Sequence, residues 1–460
     1  MRIPAIFGAW LLVIALAWLA VAPPDLGVLP LVNAQGAASG WWMLRQHALY
    51  LSGLWSIGLM SLAVALALRL PAFERPLGGM DQVYRLHKWA GIGAGLAAIA
   101  HWGAKESGGW IKALWGKAGK PPHDAALPWA DGLRHLAKDV GEWAFYALLV
   151  MMALTLLQRL LPYRRWRVLH RAMPALYLLL AGHALALAPL AFWGQPLGVL
   201  LGGMLAAGSL AALWSLAGQI GRRRRHAARV QAVSVMSNAP DAPLEVICAM
   251  PHTWPGHRAG QFVFARFDQA EGAHPFTIAS APGSLGRGEQ GEPLLRLVIK
   301  PLGDYTRALG QRLRDGQSAR IEGPYGRFGL WRRRASQQAW VAGGVGITPF
   351  LALLEARQPQ DGATPPPQPP VQMHYCTRNA SGDPLLPRLR RLCDQAQPPV
   401  ALTVHCAAQG QRLTAQKLRP DATPLDIWFC GPASLERALR NGLRALGGGA
   451  RFHREVFAMR

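Results

Sequence analysis

The chain has 460 residues, of which 51% are hydrophobic and only 16% are charged, and its formal net charge is +24. So low a charged fraction excludes an ordinary soluble protein. The arginines gather at the ends of apolar runs, so we expect a membrane protein and no nucleic-acid partner. The five cysteines lie in the second half without a CxxC pair, which excludes a disulfide framework and indicates reduced thiols.

Six apolar runs in the first half each approach the roughly 20 residues that a helix needs to cross the hydrocarbon core. We expect transmembrane helices at 3–22, 43–68, 83–104, 139–161, 167–188 and 196–219. Arginine groups near residues 69–85, 159–167 and 222–225 share one side of the bilayer if the N terminus is cytoplasmic. The sequence therefore predicts a multi-pass protein of the inner (plasma) membrane, with its N terminus and second half in the cytoplasm.

Two of these runs carry a pair of histidines. His87 and His101 are 14 positions apart, so they share one side of a helix at a separation of about 21 Å. His170 and His183 are 13 positions apart, which places them on different sides of an ideal helix. Pro174 lies between them, so we expect a distortion of that helix.

An ionisable residue inside the membrane is a functional candidate, and neutral imidazole is a good ligand for iron. We therefore predict two haems, one held on the inner side by His87 and His170 and one on the outer side by His101 and His183. The alternative is that all four histidines are hydrogen-bonded to neighbouring helices. His47 and His135 are expected near the outer face, as part of an acceptor site or as ordinary interface histidines.

From about residue 230 the runs LEVICAM, GQFVFARF and LLRLVIK, punctuated by glycine and proline, predict a small antiparallel barrel. HPFTIAS at 274–280 suits a planar ligand, with the Thr277 hydroxyl as a partner for a ring nitrogen. IKPLGDYT at 299–306 offers a lysine, a glycine turn and a further hydroxyl to a phosphate. EGPYGRFG at 322–329 is another glycine-proline turn, and each segment alone is also compatible with an ordinary hairpin. The binding residues proposed in the first two segments are His274, Pro275, Phe276, Thr277, Lys300 and Thr306.

From about residue 336 the pattern changes to strand, glycine turn and helix, which is typical of an α/β domain. In VAGGVGITPF at 341–350, Gly343, Gly344 and Gly346 allow a pyrophosphate to approach the backbone closely. Thr348 is expected to cap a helix beginning at Pro349, whose N terminus favours an anion.

Three further residues complete the predicted cytoplasmic site. Arg378 ends the strand HYCTR and pairs with a ribose 2′-phosphate, unless it is simply a solvated arginine. Cys430, in DIWFCGP at 426–432, helps to position a nicotinamide ring or is a buried structural thiol. Phe457, in the terminal FHREVFAMR, is expected to cover the flavin face where nicotinamide docks.

In this order the motifs resemble those of the NADPH oxidase and ferric reductase superfamily, in which a ferric-reductase-like transmembrane domain is fused to a ferredoxin-NADP reductase-type module. The resemblance rests on the two histidine spacings and on HPFTIAS, IKPLGDYT, EGPYGRFG, AGGVGITP and FCGP, and it covers nearly the whole chain. It implies two b-type haems, FAD and NADPH. The cofactor-binding residues that it adds are Ser280, Gly303, Gly431 and Pro432.

The resemblance implies a multi-domain chain with a six-helix transmembrane haem bundle at 1–221, an antiparallel β-barrel FAD domain at 222–335 and an α/β NADPH-binding domain at 336–460. Electrons are expected to pass from cytoplasmic NADPH through FAD and both haems to an acceptor on the outer face. Dioxygen, reduced to superoxide, is the first expectation. The alternatives are a ferric or other metal chelate, or a periplasmic redox partner docking on residues 105–138. In relatives that reduce dioxygen, a further histidine often occupies the position of Lys105.

Overall fold

The computed structural model describes residues 2–21, 34–117, 120, 131–157, 163–268, 272–328, 337–359, 370–419, 425–447 and 450–454. The chain divides into two compact units, Met1–Ile220 and Gly221–Arg460.

The first unit is helical throughout its described secondary structure, as expected for apolar segments that must satisfy their own backbone hydrogen bonds. Its helices are α1 (Arg2–Leu19), α2 (Ala34–Leu66), α3 (Pro71–Leu77), α4 (Met80–Trp115), α5 (Asp131–Leu156), α6 (Tyr163–His170), α7 (Met173–Leu187), α8 (Leu190–Trp193) and α9 (Pro196–Leu216).

The prediction of six membrane-crossing helices needs correction. Among the described residues, four helical segments are long and apolar enough to cross a membrane: Gly40–Leu66, Asp131–Leu156, Pro196–Leu216 and Arg165–Leu187, the last of which includes most of α6 and all of α7. Helix α1 is apolar but shorter, over Ile3–Leu19. Helix α4 is long, but its histidines, glycines and lysines lower its hydropathy below that of a typical span. Among its described residues, the membrane domain in the first unit therefore has four apolar spans and a longer, more polar helix, α4, that carries His87 and His101.

Small residues let the helices of this unit approach closely, as is usual in membrane bundles. Beside Gly93 lie Phe7 of α1 and Leu59 of α2, and Gly58 faces Ile14 and Met204. Between α2 and α4, the Ser56 hydroxyl donates a hydrogen bond of 3.1 Å to the carbonyl oxygen of Ala94.

The second unit begins with an antiparallel sheet. Its strands are β1 (Arg225–Val235), β2 (Leu244–Ala249), β3 (Phe262–Arg266), β4 (His274–Thr277), β5 (Leu294–Ile299) and β6 (Ser318–Tyr325), with helix α10 (Asp304–Arg312) before β6. Their order in the sheet is β4-β3-β6-β1-β2-β5. An antiparallel bridge between Ile278, just after β4, and Leu297 of β5 joins the two edge strands. The sheet therefore curls into a barrel, as the run of short strands predicts.

A parallel sheet follows. It contains β7 (Gln337–Gly343), β8 (Val371–Thr377), β9 (Ala401–Cys406), β10 (Leu425–Cys430) and β11 (Ala450–Arg454), and helices α11 (Thr348–Glu355), α12 (Leu386–Gln395), α13 (Ala415–Leu418) and α14 (Ala433–Ala445). The strand order is β11-β10-β7-β8-β9. The chain therefore adds β8 and β9 on one side of β7 and then crosses back to add β10 and β11 on the other side, which makes the boundary between β7 and β10 a topological switch point. Such a switch point opens a crevice at the carboxyl ends of the two strands, where α/β proteins bind ligands.

Candidate functional site

The four histidines predicted as haem ligands meet in the two predicted pairs. The ring centroids of His87 and His170 are 6.1 Å apart, and those of His101 and His183 are 6.3 Å apart. A metal ion lies about 2.0–2.1 Å from an imidazole nitrogen, so two opposed imidazoles on one ion have centroids about 6 Å apart. The separation in each pair therefore fits a haem iron with a histidine on either side.

Three of these rings also contact a backbone carbonyl oxygen. Each places Nδ1 at a backbone carbonyl oxygen of a neighbouring helix: His87 at Ala63 (2.8 Å), His101 at Leu49 (2.8 Å) and His183 at Ala137 (2.7 Å). When Nδ1–H donates to a carbonyl oxygen, Nε2 is left as the metal-binding nitrogen and the ring is oriented. His170 differs, because its Nδ1 is buried without a hydrogen-bond partner in the described part of the chain, and its ring stacks on Trp166.

The uneven histidine spacing is accommodated by an interruption of the helix. Helix α6 ends at His170 and α7 begins at Met173, with Pro174 in its first turn. The break occurs where the sequence predicts a distortion, and it removes the constraint that both histidines lie on one straight helix.

Two glycines that sequence reasoning missed make room for the outer pair. A Cβ at Gly53 of α2 would lie 3.0 Å from Nδ1 of His101, and a Cβ at Gly141 of α5 would overlap the ring of His183. The available signal was a glycine inside an apolar helix, which marks close approach of a neighbour.

Of three other polar residues considered near the outer face, His47 and His135 lie apart from the histidine pairs and Lys105 lies close to the outer pair. The His47 ring packs edge-on against Trp18, with 5.7 Å between centroids, and His135 is exposed on α5. Lys105 is one helical turn beyond His101, and its Nζ lies 2.7 Å from a carboxylate oxygen of Glu142 and 3.2 Å from one of Glu106. The lysine charge is therefore neutralised by carboxylates, and the three side chains together carry one net negative charge.

In the second unit, the barrel brings the two predicted flavin motifs together. The His274 ring on β4 stacks on the Tyr305 ring of α10 at a centroid distance of 4.2 Å and an angle of 15°. Tyr305 belongs to IKPLGDYT, so this contact joins HPFTIAS to the glycine turn. No sequence pattern predicts this contact for Tyr305.

Thr277 carries the clearest signal for a ligand in the barrel. The residue is 5% exposed, and its hydroxyl has no hydrogen-bond partner among the described residues. Because a buried hydroxyl is costly to leave unpaired, Thr277 fits the predicted role of bonding a ring nitrogen of a flavin. Pro275 and Phe276 beside it are half-buried.

Ser280 and Thr306 have structural partners. The Ser280 hydroxyl accepts a hydrogen bond of 3.1 Å from the backbone N–H of Arg296. The Thr306 hydroxyl accepts from the N–H groups of Leu302 (3.0 Å) and Gly303 (3.1 Å) and donates to the carbonyl oxygen of Gly303 (3.1 Å). In this structure Thr306 thus shapes the turn before α10 and has no hydroxyl proton left for a phosphate. Lys300, at the start of that turn, is half-buried.

At the switch point of the parallel sheet, the turns after β7 and β10 are pressed together. A Cβ at Gly346 would overlap the carbonyl oxygen of Cys430, and a Cβ at Gly343 would lie 2.5 Å from Cδ of Pro432. Gly344 has a φ of +55°, which favours glycine. AGGVGITP and FCGP thus meet at the switch point, where Gly343 and Gly346 make room for the turn after β10, and of these three glycines Gly344 alone would have no atom within 4 Å of an added Cβ.

The expected cap by Thr348 is not formed. Helix α11 begins at Thr348 itself, directly after a 3-10 turn over Gly344–Ile347, and Pro349 is buried in its first turn. The Thr348 hydroxyl donates to the carbonyl oxygen of Val345 at 3.0 Å, so it stabilises the 3-10 turn that precedes α11.

The other residues predicted for the nucleotide and nicotinamide sites differ in their burial. Arg378 is exposed directly after β8, at the carboxyl edge next to β7, where a ribose phosphate would lie. Cys430 is fully buried at the end of β10, with Gly431 beside Gly343. Phe457 lies outside the described residues.

Comparisons with known proteins match both halves of the chain. Residues 52–181 match a family described as ferric reductase like transmembrane component, and residues 227–328 match a family of FAD-binding domains. The carnitine monooxygenase reductase subunit of Escherichia coli is 32% identical over 158 residues, which cover 34% of this chain and 45% of that protein. Ferric reduction oxidase 7, chloroplastic, of Arabidopsis thaliana is 28% identical over 134 residues, covering 25% of this chain and 17% of that protein.

Similar solved structures include the cytochrome b5 reductase domain of Ulva prolifera nitrate reductase, at 16% identity and a TM-score of 0.40, covering 50% of this chain and 97% of that chain. This chain spans less than half the length of the first two curated relatives, the reductase subunit above and the flavohemoprotein of Chromobacterium violaceum, of which it covers 45% and 41%.

Proposed function

We propose that this chain, a multi-pass membrane oxidoreductase that joins a ferric-reductase-like transmembrane component to an FAD-binding reductase module as in the ferric reductase and NADPH oxidase superfamily, carries electrons across the membrane. The donor is NADPH in the cytoplasm. The path leads through FAD and two b-type haems to an acceptor on the outer face.

The observation that carries this proposal is the pairing of the four histidines. Centroid distances of 6.1 and 6.3 Å fit iron ligation, and the 14-residue spacing on α4 separates the two pairs by about 21 Å along that helix. Two metal centres at this separation reach across most of a hydrocarbon core of about 30 Å. We assign the inner haem to His87 and His170, and the outer haem to His101 and His183.

We propose that FAD is held in the barrel (222–335) and NADPH on the parallel sheet (336–460). Both follow the membrane domain (1–221) in the sequence. When bound, FAD converts the two-electron hydride of a nicotinamide into the single electrons that haem accepts. The barrel surrounds the flavin with His274, Pro275, Phe276 and the unpaired hydroxyl of Thr277. The crevice between the turns after β7 and β10 receives the NADPH pyrophosphate. Arg378 stands beside it for the 2′-phosphate.

The outer histidine pair bears on how an acceptor would be reduced. A haem iron held by both His101 and His183 would have no ligand position left for an acceptor, which would then be reduced without binding to the iron. A small diffusing acceptor suits this arrangement, and we propose dioxygen, reduced to superoxide. A ferric or other metal chelate is the alternative, and a periplasmic redox protein is the third candidate. We place the protein in the inner (plasma) membrane with its N terminus and reductase module in the cytoplasm.

Rapid mixing tests the acceptor. Purified protein is reduced by NADPH, mixed with air-saturated buffer, and followed by the reoxidation of its haem absorbance. We expect reoxidation to be faster than steady-state turnover. Haems that stay reduced in air would rule out dioxygen and favour a chelate or a protein acceptor.

A variant of the outer pair tests the path. His101→Ala should lower the haem content from two to one per chain and abolish acceptor reduction on the outer face. NADPH oxidation with a soluble dye that accepts electrons from flavin should persist. His135→Ala, which changes an exposed histidine outside the pairs, is the matched control and should keep both haems. Outer-face reduction that survives His101→Ala would refute the path.

A further inference from the structure

Four charged side chains join the barrel to the parallel sheet within the second unit. They are Glu245 on β2, Arg296 on β5, Glu355 at the end of α11 and Arg388 on α12. The four contacts are Arg296–Glu245 at 2.9 Å, Arg296–Glu355 at 2.7 Å, Arg388–Glu245 at 2.8 Å and Arg388–Glu355 at 2.7 Å. We call these four residues the ion cluster. Each carboxylate contacts both arginines, so the two charges of each sign are balanced.

Glu355 is the centre of the ion cluster. Its Oε1 receives both arginines, and its Oε2 accepts hydrogen bonds from the backbone N–H of Ala281 (3.0 Å) and the hydroxyl of Ser284 (2.6 Å). The side chain is 8% exposed and that of Arg296 is 10% exposed. Every one of these partners except Arg388 belongs to the barrel, so a single buried carboxylate of the nucleotide-binding half is held by three groups of the flavin-binding half.

The position of Glu355 connects the two cofactor motifs. Helix α11 begins at the glycine turn that receives the NADPH pyrophosphate and ends at Glu355. The segment 281–284, which Glu355 holds, directly follows HPFTIAS with Thr277 and Ser280. The eight-residue helix α11 therefore connects the glycine turn at 343–347 with residues 281–284, which follow the flavin motif HPFTIAS.

We propose that the ion cluster sets the distance and angle between the nicotinamide and flavin sites, and that Glu355 is a positioning residue for hydride transfer. This rests on the proposed function. In the step concerned, a C–H bond of the reduced nicotinamide breaks and its hydride passes to the flavin, so the nicotinamide is oxidised and the flavin is reduced by two electrons. Hydride transfer is sensitive to displacements of about 1 Å, so a loosened connection slows it.

The chemistry of the cluster suits positioning better than simple adhesion. A buried ion pair adds little net stability compared with apolar residues of the same shape, because desolvation offsets the attraction. Arginine forks, however, have directional geometry toward carboxylates, which opposes sliding of one surface over the other.

Glu355→Gln and Arg388→Lys test the proposal in the full-length protein with bound FAD. Flavin reduction is followed in a single turnover with NADPH and with NADPH deuterated at the transferred position, at several temperatures. We expect at least a tenfold lower rate at saturating NADPH for Glu355→Gln, an NADPH Kd within threefold of the original, and an isotope effect that depends more steeply on temperature. Arg390→Met changes an exposed arginine on the same helix and should leave all three unchanged.

A second readout needs no bound cofactor. Spin labels are attached through Val235→Cys on the barrel and Leu446→Cys after α14, both exposed positions, with Cys376 changed to serine to remove a half-buried native thiol. The distance distribution between the labels should broaden in FAD-free Glu355→Gln and stay narrow in Arg390→Met.

The outcomes are distinguishable. The proposal would be overturned if Glu355→Gln left the rate of flavin reduction, the isotope effect and the label distance unchanged. It would also be overturned if Glu355→Gln lowered the Tm but left the rate and the isotope effect unchanged, because Glu355 would then have a purely structural role. If Glu355→Gln does not fold, Ser284→Ala removes one hydrogen bond to Glu355 and should still slow flavin reduction at least twofold; no slowing would count against the proposal. Failure of NADPH to reduce the flavin in the unaltered protein would refute the proposed function, while the label distances would still decide the role of the cluster.

Discussion

Gly141 of α5 and His183 of α7 lie in contact, so closely that a Cβ at position 141 would overlap the imidazole ring. The same imidazole is oriented by its Nδ1 contact, 2.7 Å from the carbonyl oxygen of Ala137, one turn earlier on α5. Helix α5 thus both admits the ring and orients it, although none of its own side chains is an expected ligand.

Gly141→Ala should therefore displace His183. The added methyl group has no space, and a membrane bundle packed through small residues cannot relax without separating α5 from α7. We expect the outer haem to be lost or to show an altered absorbance spectrum, while the inner haem stays. Haem content by pyridine haemochrome and the optical spectrum measure this.

Gly132→Ala on the same helix is the matched control, because nothing lies within 4 Å of a Cβ there. Two normal haems in Gly141→Ala would contradict the placement of His183 as a ligand.

Thr277→Val should have opposite effects with and without FAD. Without FAD, the substitution removes a buried hydroxyl that has no partner among the described residues, so the Tm of the FAD-free protein should rise. With FAD, it removes a hydrogen bond worth about 1 kcal/mol, so the Kd for FAD should rise by about five- to tenfold.

Thermal unfolding and flavin titration together check both signs. Thr253→Val, at an exposed threonine before β3, should change neither quantity. An unchanged FAD affinity in Thr277→Val would mean that this hydroxyl does not contact the flavin.

Arg378→Ala should change the choice between NADPH and NADH. The side chain is exposed at the edge of the proposed nucleotide crevice, and an arginine opposite a phosphate contributes a charge-assisted hydrogen bond of about 1.5–3 kcal/mol. We expect kcat/KM for NADPH to fall about tenfold or more, with NADH nearly unaffected. Equal losses for the two nucleotides would show that Arg378 does not bind the 2′-phosphate.

Stability should fall as the solution becomes acidic, because of a buried histidine pair in the parallel sheet. Nδ1 of His374 on β8 lies 3.2 Å from Nε2 of His405 on β9. Burial, and then the charge of His405, lowers the pKa of His374 to about 4; burial, followed by the charge of Lys417, also lowers the pKa of His405.

An unfolded histidine has a pKa near 6.5, so between pH 6.5 and 4 the unfolded chain binds a proton at position 374 that the folded chain does not. Stability from this group is thus retained above about pH 6.5 and lost progressively down to pH 4, by about 3 kcal/mol in total. The Tm of His374→Leu should vary less between pH 7 and 5 than that of the unaltered protein. His252→Gln, at an exposed histidine, should retain the original dependence.

Much of this architecture could be predicted from local patterns. The lengths of the apolar runs predict a membrane domain, and the 14-residue spacing on α4 predicts one face for His87 and His101, because a helix has a regular period. Pro174 predicts the break between α6 and α7. Short glycine-punctuated strands predict the barrel, and a strand followed by a glycine turn and a helix predicts the nucleotide-binding sheet. These properties depend on neighbours along the chain, which a sequence displays directly.

Other features depend on contacts between distant segments, and only the tertiary structure decided them. Thr348 was expected to cap a helix and instead bonds within the preceding turn. The room that Gly141 leaves for His183, the stacking of Tyr305 on His274 and the ion cluster around Glu355 join residues between 31 and 143 positions apart. Periodicity cannot reveal such pairs, because burial and close packing are set by which elements meet in space.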